Sequence, residues 1–313
     1  MVQVVAEYLG RDARNLPLGA GVNSYSRAEK PCPFRSGHCD KIQRGQVPVC
    51  SLRDSETSQL WIVCSHRLCS SAPRHMPLTE YQWGIVHSIV DVVAVETPTT
   101  ARIGVQREAR IRRNPGVERS DDSRADFLVA FFDAQSGAVL NNPRPLIIEI
   151  QGGGETSNTG KMTRHVQDWE TGTHTKPLTA PLSGVGVIET NAWRRQQEQF
   201  LFKGSVATRS NARFVFAIGD RLFDKIFRHV ERPRGIAQSG GWNLAIVAFS
   251  EDPTGCGTDG SLRLAPDPAR TLFTDFSAFT NQLINQGQYD PKLLDGEYAL
   301  ESGSTYVVDS SCS

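Results

Sequence analysis

The sequence predicts an α/β protein with a mixed sheet flanked by helices, preceded by a small cysteine-rich segment. From residue 76 onward, apolar strand-like runs alternate with stretches whose apolar residues recur at helical spacing. The first strands of this region are expected to pair antiparallel, which makes the predicted sheet a mixed one. Before residue 76 apolar runs are few, and five of the seven cysteines fall between Cys32 and Cys69. We therefore expect a metal-binding segment over residues 1–75 and a larger core over residues 76–313.

The composition is that of an ordinary globular chain, with 39% hydrophobic and 22% charged residues and a formal net charge of zero. No run approaches the roughly 18 apolar residues of a membrane span. The N-terminus lacks the basic and apolar regions of an export signal, so we expect a cytoplasmic protein with no membrane contact. Arginine supplies 27 of the 34 basic residues. Arginine suits phosphate and guanine edges, but a GC-rich genome produces the same bias.

The cysteine-rich segment contains two predicted short strands, over residues 46–52 and 60–64, each of which ends near a cysteine. Without an export signal, clustered cysteines favour a metal over disulfides. Four thiolates can bind a metal tetrahedrally, although the spacings lack the C-x-x-C pairs of common zinc modules. Burial of the cysteines as small apolar residues is the plainer alternative. The predicted ligands are Cys32, Cys39, Cys50 and Cys64, with His38, His66 and Cys69 as alternatives.

Residues 102–124 carry seven arginines against four acids, after a predicted helix over residues 79–95. Within them Glu108, Arg110 and Arg112 alternate as in a strand and share one face. Charge runs are usually solvated faces, but this one leads directly into Asp126, which favours contact with a polyanion. The predicted DNA-contacting residues are Arg110, Arg112, Arg124 and Lys161, the last at the start of a helix predicted over residues 161–170.

Two apolar strands carry acids at their ends. The first, over residues 125–132, opens with Asp126, and the second, over residues 145–151, ends with Glu149 and Gln151 before three glycines. The i, i+2 spacing puts Glu149 and Gln151 on one face. A carboxylate at the tip of an apolar strand is costly to bury unless a positive group meets it. A divalent metal is the obvious candidate, although both acids could simply face water.

Further elements follow the glycines. The helix predicted over residues 192–206 carries Arg194, Arg195 and Lys203, and Asp220 is placed to cap the helix predicted over 221–230. Strands are predicted over residues 213–218 and 242–249, and another helix over 270–285.

These motifs, in this order, resemble the NotI-like type II restriction endonucleases of the PD-(D/E)xK nuclease superfamily, over most of the chain. Cys-Pro-Phe at 32–34 matches, and residues 61–67 are similar to the segment around the last of the family's four metal cysteines. Asp126 falls on the first catalytic acid. Residues 149–151 match the family's Glu-x-Gln, where most of the superfamily has Glu-x-Lys, and Glu108 falls on a further active-site glutamate. Loop lengths differ and the C-terminus is shorter.

The resemblance implies a PD-(D/E)xK core whose Asp126 and Glu149 hold catalytic Mg²⁺. Gln151 would orient the attacking water, and Glu108 would help to place a second ion. The cysteine site would hold a structural metal, iron by the resemblance, although zinc suits the ligands equally.

The implied activity is Mg²⁺-dependent cleavage of double-stranded DNA at a GC-rich palindrome by a bacterial homodimer, with a cognate DNA methyltransferase in the same system. Two alternatives stay open. One is another nuclease of the superfamily, for repair or for modified DNA. The other is a non-catalytic DNA-binding protein on the same scaffold.

Overall fold

The computed structural model describes residues 2–17, 31–69, 77–94, 96–98, 100–111, 123–173, 176–252, 254, 260–285, 295–299 and 305–309. Strands β1 to β4 span Gln3–Tyr8, Arg11–Asp12, Val49–Asp54 and Leu60–Ile62, and β5 to β8 span Ala101–Ile111, Ser123–Asp133, Leu146–Gln151 and Arg213–Gly219. Strands β9 to β12 span Leu244–Glu251, Leu264–Thr274, Gly296–Ala299 and Thr305–Val308. Helices α1 to α6 span Asp40–Gln43, Glu80–Val93, Thr159–Thr171, Glu189–Arg209, Asp220–His229 and Phe276–Ile284.

The large sheet has six strands in the order β10-β9-β8-β7-β6-β5. The three central strands β7, β8 and β9 are parallel, and the strands outside them pair antiparallel. One face packs against a core that includes residues of α3 to α6, and the other against a core that includes α2. The predicted mixed sheet flanked by helices is therefore confirmed.

The cysteine-rich segment contributes a second sheet, in the order β2-β1-β3-β4. Val5, Leu52 and Trp61 of this sheet are fully buried in the same core as α4 and α5. Beneath it, the Arg67 guanidinium donates to both carboxylate oxygens of Glu7 at 2.8 Å, and both side chains are fully buried. The segment thus shares a continuous core with the large sheet.

The triple glycine brings the two sheets together. The backbone N–H of Gly154 donates to the Ile62 carbonyl at 2.9 Å. A Cβ on Gly152 would lie 2.7 Å from the Ile62 side chain, and a Cβ on Gly219 would lie 2.5 Å from the Gly152 carbonyl oxygen. A side chain at Gly152 would press on Ile62 of β4, and a side chain at Gly219 would collide with the backbone at the end of β7, so both positions favour glycine.

Two local predictions are wrong. The helix predicted over 270–285 begins at Phe276, because residues up to Thr274 continue β10 as a pair of β9. The helix after β8 is capped by Gly219, and Asp220 is its first residue. None of the helices in the described ranges has the length and apolar character needed to cross a membrane.

Candidate active site

Three acids lie in one row across neighbouring strands at one end of the large sheet. The ladder between β6 and β7 pairs Phe127 with Ile148, a register that sets Asp126 across from Glu149. The ladder between β5 and β6 pairs Arg107 with Phe127 and Ala109 with Ala125, which sets Glu108 across from Asp126. Residues opposite one another in a sheet share a face. The register therefore places the three predicted acids on one face of three neighbouring strands.

Asp126 is held against the end of β7. The backbone ladder of β6 and β7 stops at Phe127 and Ile148. Beyond it, the Asp126 carboxylate oxygen Oδ2 accepts a hydrogen bond from the Ile150 N–H at 2.8 Å. A side chain thus replaces the next backbone partner and ties the first acid to the strand that carries the second.

Glu149 is buried and paired with a cation that comes from a helix. Its Oε2 accepts a hydrogen bond from the Lys203 ammonium at 2.5 Å, and the two side chains are 7% and 4% exposed. Burial and then the neighbouring Asp126 charge raise the pKa of Glu149 to about 8, against the lowering effect of Lys203. One carboxyl in this pair of acids is therefore protonated with unusual ease.

Helix α4 matches the spacing of β7. Gln196 and Lys203 are two helical turns apart, and they contact Gln151 and Glu149 respectively. Phe200, fully buried between them, holds this face of the helix on the sheet. Two side chains seven residues apart on the helix thus reach two side chains that are two residues apart on the strand.

The two glutamines form a chain of defined orientation. Gln151 Nε2 donates to the Gly153 carbonyl at 2.6 Å, so its Oε1 accepts from Gln196 Nε2 at 2.7 Å. This leaves the side-chain oxygen of Gln196 as an acceptor that is buried and has no hydrogen-bond partner among the described residues. A buried unpaired acceptor next to the acids would suit a donor such as a bound water.

Glu108 has strained backbone geometry. Its φ is +48°, in the left-handed region that a residue with a side chain rarely occupies within a strand. Its carboxylate lies 3.9 Å from the Arg124 guanidinium. Strain of this kind collects at functional sites, where the surrounding structure maintains it.

Arg110 and Arg124 are exposed and lie directly opposite each other on β5 and β6. Like charges across a strand pair are destabilising by themselves. Lys161 is exposed in the first turn of α3, away from this pair in the sequence. Arg112 lies outside the described residues.

The four predicted metal cysteines are buried free thiols. Cys32, Cys50 and Cys64 pack in one small cluster with Phe34. Burial raises the pKa of all three thiols, and the neighbouring Cys39 adds to the rise at Cys32 and Cys64. A bound cation would reverse this effect, so the donor chemistry fits a thiophilic metal.

In the described part of the chain, no group of three or more His, Cys, Asp or Glu side chains is arranged to hold a metal ion. At the acids, Asp126 and Glu149 supply hard oxygen donors, and a divalent cation would oppose both the burial and the Asp126 charge that raise the pKa of Glu149. The carboxylates present therefore fit Mg²⁺ chemically, with the other ligands coming from water and substrate oxygens.

The sequence predicts the helix that carries Lys203 but no role for that residue. It gives no prediction that Gln196 belongs to the site. Lys203 shares the apolar face of α4, since Phe200 and Ala207 lie three residues before it and four after it. A lysine on an apolar helix face needs a buried anion, and this was the available signal. Comparison of the chain with protein-family models and with curated protein sequences found no match.

Proposed function

We propose that this protein is a Mg²⁺-dependent endonuclease for double-stranded DNA, of the type II restriction kind found in the NotI-like family. The observation that carries the proposal is the row of Glu108, Asp126 and Glu149, with a buried lysine bound to its innermost acid. Carboxylates gathered at a strand end, with more negative charge than one lysine neutralises, are suited to hold the metal ions that catalyse phosphodiester hydrolysis.

Asp126 and Glu149 would hold the metal, which supplies an activated water and neutralises charge on the phosphate. Lys203 supports this assignment, because it brings from α4 the positive charge that a Glu-x-Gln triplet lacks. It lowers the cost of ionising Glu149, and so keeps that carboxylate able to bind a cation.

The glutamine chain would position the attacking water. The Gly153 carbonyl holds the Gln151 amide in one orientation, and Gln151 in turn holds Gln196. Both side chains are neutral amides, which are too weakly basic to deprotonate a water. They orient a water and do not serve as its base.

The cross-strand arginines support a DNA partner. Arg110 and Arg124 lie opposite each other beside the row of acids, and a polyanion would turn their repulsion into attraction. Lys161 belongs to the same proposal. A palindromic site would be cut by a homodimer whose two-fold axis matches that of the site, with a methyltransferase protecting the host genome.

The structural-metal part of the proposal concerns Cys32, Cys39, Cys50 and Cys64, with iron or zinc as the ion. β4 lies two residues before Cys64 and contacts the end of β7 through Ile62. A metal at the cysteines would therefore support the loop behind Gln151 as well as the segment itself.

The test is a digest of sequenced plasmid and phage DNA, unmethylated and methylated, with Mg²⁺ and with a chelator. We expect discrete fragments from unmethylated DNA whose mapped ends share one palindrome, and none with Glu149→Ala. If only methylated DNA gives fragments, the protein is a modification-dependent nuclease and not a restriction enzyme for unmodified sites. Binding without cleavage under every divalent metal would reject the nuclease.

A further inference from the structure

A cleft beside α3 gathers three exposed cations. It encloses about 370 Å³ between α3 and the segment 176–183. Lys161, Arg164 and Lys176 line it and are exposed, and within the described ranges none of them makes an ion pair. By contrast, Arg53, Arg67, Arg221 and Arg270 are all paired with acids.

The cations of this α3 cleft share one face of the helix. Lys161, Arg164, His165 and Asp168 follow the i, i+3, i+4, i+7 spacing, while Met162, Val166 and Trp169 face the core. Lys176 comes from the opposite wall. Asp168 is the acid among the lining residues, so positive charge dominates the cleft.

Hydrogen-bond donors also predominate. Trp169 is one of the lining residues, although its ring packs into the core against Tyr8, and its indole N–H is buried without a hydrogen-bond partner among the described residues. A buried N–H left unpaired is costly and points to a missing acceptor. The three exposed cations suit an anion whose oxygens accept hydrogen bonds.

The cleft is preformed because both walls are anchored. Leu178 and Leu182 are buried in the main core, and the Leu182 N–H donates to the Gln3 carbonyl of β1 at 2.8 Å. His165 bridges the walls, with its Nε2 3.0 Å from the Leu178 carbonyl. Little ordering is therefore required when an anion binds.

The helix that carries the cleft follows the triple glycine of the candidate active site along the chain. A neighbouring cavity is lined both by Gly154, at the end of the triple glycine, and by Thr159 and Thr163 of α3. Helix α3 therefore starts beside the end of β7 and carries its cations away from the acids.

We propose that the α3 cleft binds backbone phosphates of the DNA outside the bond that is cut, an inference that rests on the proposed nuclease function. Lys161, Arg164 and Lys176 would contact phosphate oxygens, and such contacts fix the register of a duplex without reading its sequence. The cleft would then extend the interface along the flanking DNA.

The experiment compares Lys161→Ala/Arg164→Ala/Lys176→Ala with wild type. The matched control, Arg209→Ala/Lys225→Ala/Arg234→Ala, also removes three cations. Binding is measured by fluorescence anisotropy with Ca²⁺ over a salt series, on a duplex about four helical turns long and on one about a single turn long. Circular dichroism and thermal melting check that all three proteins are folded.

Each phosphate contact that is lost lowers the salt slope by ~0.9. We expect the cleft variant to lose about two to three units on the long duplex and almost nothing on the short one, whereas the control keeps the wild-type slope. Equal slopes for cleft variant and wild type would overturn the inference and leave the nuclease intact. A wild type that neither binds nor cuts DNA would instead reject the proposed function.

A further arm distinguishes DNA from free phosphate. Inorganic phosphate is added at constant ionic strength to wild type without DNA, and thermal stability is measured. In one outcome, phosphate stabilises the wild type but not the cleft variant while the two proteins have equal DNA salt slopes. That result would assign the cleft to a free anion and overturn the proposal that it binds DNA. Absence of this stabilisation together with the slope change supports it.

Discussion

The Lys203 ammonium lies 2.5 Å from the Glu149 carboxylate, although 54 residues separate them and both are buried. A buried charge is tolerated when its partner is present and becomes costly when the partner is removed. The pair therefore links the stability of the metal-free protein to the chemistry of the site.

Lys203→Met should destabilise the protein increasingly as pH rises above 8, where Glu149 of the wild type is ionised and paired, toward the ~3–5 kcal/mol typical of removing one member of a buried pair. Lys203→Met/Glu149→Gln should recover much of this loss, because no charge is then left unpaired. Urea denaturation measures both variants. Cleavage should fall ~10²-fold or more in each. A single variant as stable as wild type would show that the pair is not energetically coupled.

The pH dependence follows from the raised pKa of Glu149. An acid whose pKa is higher in the folded chain binds its proton more tightly when folded, so the stability it contributes is present at low pH. That stability is lost as pH rises from 4.5, the ordinary value, to about 8. In chelator, wild type should lose stability across this window while Glu149→Gln loses much less. Parallel curves would contradict the assignment.

Metal affinity should show the opposite trend. Because a ligand must be deprotonated to bind, Mg²⁺ binding releases a proton from Glu149 below pH 8 and tightens as pH rises. Calorimetry in buffers of different ionisation enthalpy counts this proton.

Glu149→Ala and Asp126→Ala should bind DNA without cutting it, since both remove a group needed in the transition state. Near wild-type cutting by either would remove that acid from the site.

Gln151 and Gln196 should act as a unit. Either change to Met should lower turnover ~10-fold to 100-fold with little change in DNA affinity, because water is misplaced while the carboxylates stay. The double variant should lose hardly more than the singles, since each glutamine orients the other. Additive losses in single-turnover kinetics would show that the two act independently.

Cys50→Ser should release a metal and expose residues 1–75 to protease, while Cys69→Ser should do neither. Cys69 is buried as well, but its thiol is 3.7 Å from the Gln82 carbonyl and lies outside the cluster of Cys32, Cys50 and Cys64. Elemental analysis of the native protein gives the identity of the ion. Native protein with no iron or zinc near one per chain would reject the site.

Arg124→Ala should weaken DNA binding similarly for all sequences and lower the salt slope by about one. Its effect on stability in the absence of DNA should be small, because loss of the repulsion from Arg110 opposite it offsets loss of the attraction to Glu108. Thermal melting and anisotropy test the two effects separately. Lower stability with an unchanged slope would make Arg124 a structural partner of Glu108.

Much of the fold was predictable, because long apolar strands and helices with periodic apolar residues are recognisable from the local sequence. The elements carrying Asp126, Glu149 and Lys203 all lie where the pattern placed them. The error at residues 270–274 has a physical cause. Pairing with β9 outweighs the local helical pattern of that segment.

The site was only partly predictable. The i, i+2 spacing of Glu149 and Gln151 is a local property, whereas their partners depend on how α4 lies on the sheet. The row of Glu108, Asp126 and Glu149 depends on the register of three strands, which a single sequence does not specify. Nothing in the sequence indicates the left-handed backbone at Glu108, since glutamate is not a residue that favours this conformation.

The contact at Gly152 limits how this chain could be recombined. The Ile62 side chain packs onto Gly152, and the Gly152 carbonyl oxygen lies against Gly219, so a methyl group added at either glycine would force these neighbours apart. A hybrid that takes residues 1–75 from one homologue and the rest from another would have to inherit matching residues at all three points. Such chimaeras should therefore succeed only when the β4 strand and the glycine loop are exchanged together.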